Sequence, residues 1–341
     1  MDIFSQVIAT DKLHPSFREI FVLRNRYGLD VLNDWARGFV DRDGKFVKEF
    51  QISFNSSFWE LYLFAVLKHY GYHVSFQFNK PDFVVNVPVK FCIEATVALN
   101  DVRTKAAHET ESSDIHQDLN VLNHEAVVRL SNSFISKHKK YVSEYSVLPH
   151  VSGKPFIIAI APFDRPFFNM QCQRAIEALL YGYYVDEEAY IKEGGFNKPL
   201  GGAPIEQVIK HNGAPIRLGL FNDPSYKEVS AVVFSSTATW GKAIALSSDP
   251  NSGSVFTALK FNITGVRPHV EKKKKASYSE HLVDGLRVYH NPYAVTSLEP
   301  DVFRNNKVFQ TYYDCKAEEW IYEQHDGQLL FRMVNTVVKN R

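Results

Sequence analysis

The segment Pro155–Phe163, PFIIAIAPF, carries no charged or amide side chain from end to end. Successive side chains of a strand point to opposite faces, so a uniformly apolar strand needs cover on both. Such a strand belongs at the centre of a sheet with helices on either side. The segments before it agree. Residues 56–72, SSFWELYLFAVLKHYGY, read as a helix, with Ser56 or Ser57 as cap and Gly71 as stop. Three β-rich runs follow at 73–78, 82–87 and 89–97, with Pro88 marking a turn, and residues 121–145 read as a second helix. Helix, three strands, helix and central strand define a mixed α/β core with a central mixed sheet flanked by helices.

Residues 16–40 also read as helical, and Asp41-Arg42-Asp43-Gly44-Lys45 reads as a turn whose DxDG start lacks the later acids of a calcium loop. Residues 98–120 form a long polar stretch. Beyond the core come a helix at 170–185, a Gly/Pro/Asn-rich stretch at 194–215, and strand candidates at 229–236, 254–261 and 285–291. The expected organisation is a helical extension over 1–55, a core over 56–165 and an elaboration over 166–341 that completes or flanks it.

Composition narrows the function. Of 341 residues, 45% are apolar and 14% aromatic, which suits a chain with a large core. With 39 Lys and Arg against 38 Asp and Glu, no global basic field announces a nucleic acid, so any such surface must be local. The three cysteines have no zinc-site spacing, and no disulfide scaffold is expected. The N-terminus does not read as a signal peptide, and no run is long enough to span a bilayer. A cytoplasmic protein is the expectation.

One residue breaks the apolar pattern in a telling place. Glu94 interrupts the strand FCIEATV, and a buried carboxylate is costly unless paired or bound to a cation. Asp82 follows Pro81 at the mouth of the neighbouring strand. Two close carboxylates resist joint ionisation, and a divalent cation with oxygen ligands resolves the repulsion.

The elements FWELYLF, KPDFVV and FCIEAT resemble, in that order, the motif of the PD-(D/E)XK restriction-endonuclease-like nucleases, over roughly 56–163. The resemblance implies a fold of that type and a nuclease that hydrolyses phosphodiester bonds in DNA. Magnesium or manganese would be held by Asp82, Glu94 and the carbonyl of Ala95, with Glu60 on the helix as a further ligand or supporting contact. The chain departs from the pattern at Thr96, which stands where the motif lysine belongs. Thr96 keeps a hydroxyl for water or phosphate, and Lys137 or Lys140 on the following helix are the substitutes. The departure keeps a catalytically degenerate module that binds nucleic acid or protein open as the alternative, with a ribonuclease as a second. The stretches FVKEFQISFNSSFWELYLF, SAVVFSS and YSEHLVDGLRVYHNPYA further resemble a bacterial family of unassigned activity built on this core. A role in restriction or anti-phage defence follows by analogy from fold to function.

Other residues are candidates of second rank. Arg129, Lys137, Lys139 and Lys140 give the second helix a basic face for a nucleic acid. The run Lys272, Lys273, Lys274 and Lys275 is either a phosphate track or a solvated loop. Glu49 is a further acid near the core helix. Asp114 and His116 could approach from their loop. Glu280, His281 and His290 cluster without zinc-site spacing and read as structural. Arg103 and His108 have the Arg-x4-His spacing of metal-free HEPN ribonucleases but lie in a polar stretch after a strand. A homodimer or a partner protein is compatible with the unassigned C-terminal half.

Overall fold

The computed structural model describes residues 2–21, 27–98, 118–171, 173–192, 201–249 and 253–336. Four helices open the chain: α1 (Pro15–Phe21), α2 (Leu29–Ala36), α3 (Phe46–Ile52) and α4 (Phe54–His69). The stretch expected as one helix over 16–40 is divided, because Gly28 enters α2 with φ +100°, a left-handed conformation open to glycine. At Gly28 a Cβ would also stand 2.9 Å from the Ala243 backbone. The core helix starts two residues earlier than expected, and backbone rather than a serine side chain caps it. The Ser56 and Ser57 N–H groups donate to Ser53 O. Helix α4 is buried almost all round, as a helix packed on every side must be.

The chain continues with β1 (His73–Ser75), β2 (Phe83–Val87), β3 (Phe91–Val97), α5 (Leu119–Lys140), β4 (Phe156–Ala161) and α6 (Arg174–Tyr181). Short pieces follow: β5 (Tyr183–Tyr184), α7 (Glu187–Lys192), β6 (Ala203–Pro204), β7 (Gln207–Ile209) and β8 (Pro215–Arg217). The last third holds β9 (Ala231–Phe234), α8 (Trp240–Leu246), β10 (Ser254–Lys260), β11 (His269–Lys274), β12 (Arg287–His290), β13 (Phe309–Asp314), β14 (Glu319–Glu323) and β15 (Leu329–Thr336).

The main sheet has eight strands in the order β1-β2-β3-β4-β9-β12-β13-β14. Strands β3, β4 and β9 run parallel at its centre, and β2 joins β3 antiparallel. PFIIAIAPF supplies β4, whose six residues are all buried. Its alternate side chains serve different cores. Ile157, Ala159 and Ala161 meet the α1–α4 layer. Phe156, Ile158 and Ile160 meet α5 and α6. The expected mixed α/β layering is therefore present, and the C-terminal segment supplies β9, β12, β13 and β14 to the same sheet. Strands β10, β11 and β15 form a separate three-stranded sheet beside α8. Among the described residues, no helix is long and apolar enough to cross a membrane. Cys92 and Cys315 are free thiols.

Candidate active site

The β2–β3 hairpin builds the site. Phe83 pairs with Ile93 across it, so one step further Asp82 faces Glu94 from the same side of the sheet. The Ala95 N–H donates to Asp82 Oδ2 at 2.7 Å and locks the aspartate against the strand. Alternation turns Glu94 toward α5, while Ile93 faces α4.

The Glu94 side chain is 2% exposed and held by three donors on one oxygen. Lys137 Nζ reaches Oε1 at 2.8 Å, Lys140 Nζ at 3.1 Å and the Tyr145 hydroxyl at 3.3 Å. Both lysines leave the same face of α5 three residues apart. Tyr145 follows on the π-helical turn Tyr141–Tyr145 that continues α5, and Lys140 also sits over its ring, 5.1 Å from the centroid. The lysines expected from α5 thus both reach the acid that the motif lysine would have neighboured. Thr96 does less than expected. Among the described residues its hydroxyl meets Val97 O alone, at 3.5 Å.

The second carboxylate oxygen, Glu94 Oε2, is buried and has no hydrogen-bond partner among the described residues. A buried carboxylate oxygen without a donor is a natural seat for a cation. Burial first and then repulsion by Glu94 push the Asp82 carboxyl up to about 6, against the Ala95 N–H and the two lysines. Glu60, on α4, is pushed up to about 8 by burial and by Asp82, with Arg42 opposing. Asp82 and Glu60 line a cleft of about 200 Å³ together with Glu49, Arg42 and Asn79. Glu49 therefore does join the acids. A surplus of carboxylates in a confined cleft is the donor set that suits a hard divalent ion. Among the described residues, however, no three His, Cys, Asp or Glu side chains converge closely enough to hold a metal by themselves.

Arg42 is the residue that motif reading missed. It sits in the Asp41–Lys45 turn, which is a plain turn. Asp41 accepts from the Lys45 and Phe46 N–H groups, each at 3.1 Å, and so caps α3. This holds Arg42 over the cleft, where its guanidinium donates to Phe78 O. No local pattern links residue 42 to Glu60; only tertiary packing does. Tyr145 was also missed, although it lies in the basic helix segment already singled out.

Other candidates lie elsewhere. Arg129 is not on an exposed basic face. It is 7% exposed and donates to Ala98 O, and burial lowers its guanidinium to about 10. The helix leans that residue onto the end of β3, where a carbonyl needs a donor. Lys139 is exposed, between the two lysines that face Glu94. Lys272, Lys273 and Lys274 lie on β11 rather than in a loop. Lys275 is not free to track phosphate, since it folds back to donate to Ala245 O. Glu280 is enclosed with Lys242 and Arg332. His290 is buried between Leu298 O and Gln310, each at 3.1 Å, and the His281 ring lies 4.9 Å from that of His69. These residues do not form one cluster with the acids. Arg103, His108, Asp114 and His116 lie outside the described residues.

The fold and site together define a mixed α/β protein with a buried carboxylate–lysine centre at a sheet hairpin. Comparisons with protein-family models, curated proteins and solved structures found no match.

Proposed function

We propose that this chain is a metal-dependent phosphodiesterase acting on DNA. The observation that carries the reading is Glu94: a buried carboxylate with one oxygen gripped by two lysines and a tyrosine and the other unpartnered among the described residues, across a hairpin from Asp82. Asp82, Glu94 and the Ala95 carbonyl would hold magnesium or manganese, with Glu60 alongside. Once bound, the ion would supply Lewis-acid polarisation of a phosphoryl oxygen and an activated water.

The protein's own groups have separate tasks. The Ala95 N–H fixes Asp82. Tyr145 orients Glu94. Lys137 and Lys140 pair with Glu94 and set positive charge where a phosphate gains negative charge. Arg42 offsets the acids of the cleft from the other side. The lysines of α5 take over the place that Thr96 leaves open.

A second reading is a non-catalytic module on the same scaffold. It is favoured by the two ammonium groups already on Glu94, which balance its charge without any ion. The deciding experiment incubates the protein with single-stranded DNA, double-stranded DNA or RNA, with magnesium, manganese or chelator, beside Glu94→Ala. Metal-dependent DNA cleavage that falls by about 100-fold or more in the variant supports the proposal. Cleavage of RNA alone would make the protein a ribonuclease. Absence of cleavage, together with absence of magnesium binding by calorimetry, would favour the module.

A further inference from the structure

The sheet β11-β10-β15 buries one face and leaves the other open. Directly paired residues share a face, and faces alternate along each strand. Phe256, Ala258 and Arg332 point inward and are buried. The outer face carries Lys272 and Lys274 on β11, with Val270 on the same strand and Met333 and Phe331 on β15. Val270 is 69% and Met333 44% exposed, and both lysines are exposed. None of the described residues on this face is acidic. Glu271, the one acid of β11, turns to the other side, where Lys260 at 3.0 Å and Lys273 at 3.3 Å pair with it.

Lysines on an edge strand also guard against edge-to-edge pairing. That role accounts for the lysines. It does not account for an exposed valine and methionine and a half-buried phenylalanine on the same face, beside lysines that no described acid on that face offsets.

We infer that this face binds single-stranded nucleic acid, with phosphates along Lys272 and Lys274 and a base against Phe331. The inference rests on the nuclease reading for its choice of partner. Lysines two residues apart on a strand lie about 6.8 Å apart on one face and form a short cationic track along β11. β11 and β15 flank β10 and so lie about 10 Å apart. A backbone on the lysine strand therefore leaves its bases over the apolar strand. A cationic track beside a stacking platform is how sequence-tolerant single-strand binders work.

The test is fluorescence anisotropy of a labelled mixed-sequence DNA single strand on the full chain. Chelator is present throughout, so that cleavage does not enter, and salt is varied. The double variant Lys272→Ala/Lys274→Ala should weaken binding about tenfold and flatten the slope of log affinity against log salt by about 1.4, at ~0.7 per lysine–phosphate contact. Phe331→Ala should weaken binding about tenfold with the slope unchanged. Lys316→Ala, exposed in another part of the chain, should do neither. The inference is overturned if the wild type does not bind the single strand, if it prefers blunt duplex, or if the double variant keeps the wild-type affinity and slope. A wild type that binds through these lysines but never cleaves would sink the nuclease reading alone. One that cleaves while the double variant binds unchanged would sink this inference alone.

Discussion

Glu94 occupies a position that an apolar strand tolerates only with compensation, and α5 provides it twice over. Removing the carboxylate would leave two ammonium groups facing each other and a tyrosine hydroxyl without its acceptor. Lys137 and Lys140 are 22% and 40% exposed, so water softens that cost. Glu94→Ala should destabilise the protein by about 2 kcal/mol, read from urea unfolding. Asp82→Asn should behave in the opposite way. The amide oxygen still accepts from Ala95 N–H, and the repulsion toward Glu94 and Glu60 disappears. Its melting temperature should equal or exceed that of the wild type, while metal-dependent cleavage is lost. A large fall in melting temperature would instead make Asp82 a purely structural residue.

Two elements shape the site and its surroundings without belonging to the acid pair. The Asp41–Lys45 turn is held by Asp41, which caps α3 and so positions Arg42. Asp41→Ala should cost about 1 kcal/mol of stability and should lower activity as well, because the turn that carries Arg42 loosens. A stability loss with unchanged turnover would remove Arg42 from the site. On α6, burial raises the Glu177 carboxyl, with Arg287 and Arg174 opposing, and the Tyr289 hydroxyl lies 3.4 Å from it. The folded state therefore holds this proton more tightly than the unfolded chain does. The contribution of Glu177 is fully present below its ordinary value near 4.5 and is lost as pH rises through the raised folded value. Glu177→Gln keeps an acceptor for Tyr289 and should flatten that decline in a series of thermal melts from acid to neutral pH. An unchanged pH profile would place the titrating group elsewhere.

At the scale of the molecule, the three-stranded sheet is tied to the body through a buried ionic network. Lys242 on α8 and Arg332 on β15 both pair with Glu280, and Tyr278 donates to the other Glu280 oxygen at 2.9 Å. Burial works against the Glu280 charge, but Arg332 and Lys242 hold its carboxyl below the usual range. Lys242 also donates to Asp284 O at 2.8 Å and His281 O at 3.1 Å. Lys242→Met leaves Glu280 and several carbonyls short of a buried donor and should cost about 3–5 kcal/mol in equilibrium unfolding. A loss below about 1 kcal/mol would mean that Arg332 alone satisfies Glu280.

The layering of the core was legible in the chain because it depends on period and polarity. PFIIAIAPF had to be central, FWELYLF had to be buried, and Glu94 had to be compensated. The lysines of α5 were legible for the same reason, since helical spacing puts Lys137 and Lys140 on one face. What local pattern could not reveal depends on distant partners. Strands β11 and β14 read as charged or mixed segments, because edge strands bury little and keep no strict alternation. Arg129 looked solvent-facing until the end of β3 came to rest against it. Arg42 joined Glu60 and Asp82 only when α3 folded over α4. The sequence by itself determined which residues must be buried and which acid would need a partner. The tertiary structure alone decided which side chains meet that acid, because those contacts join segments far apart along the chain.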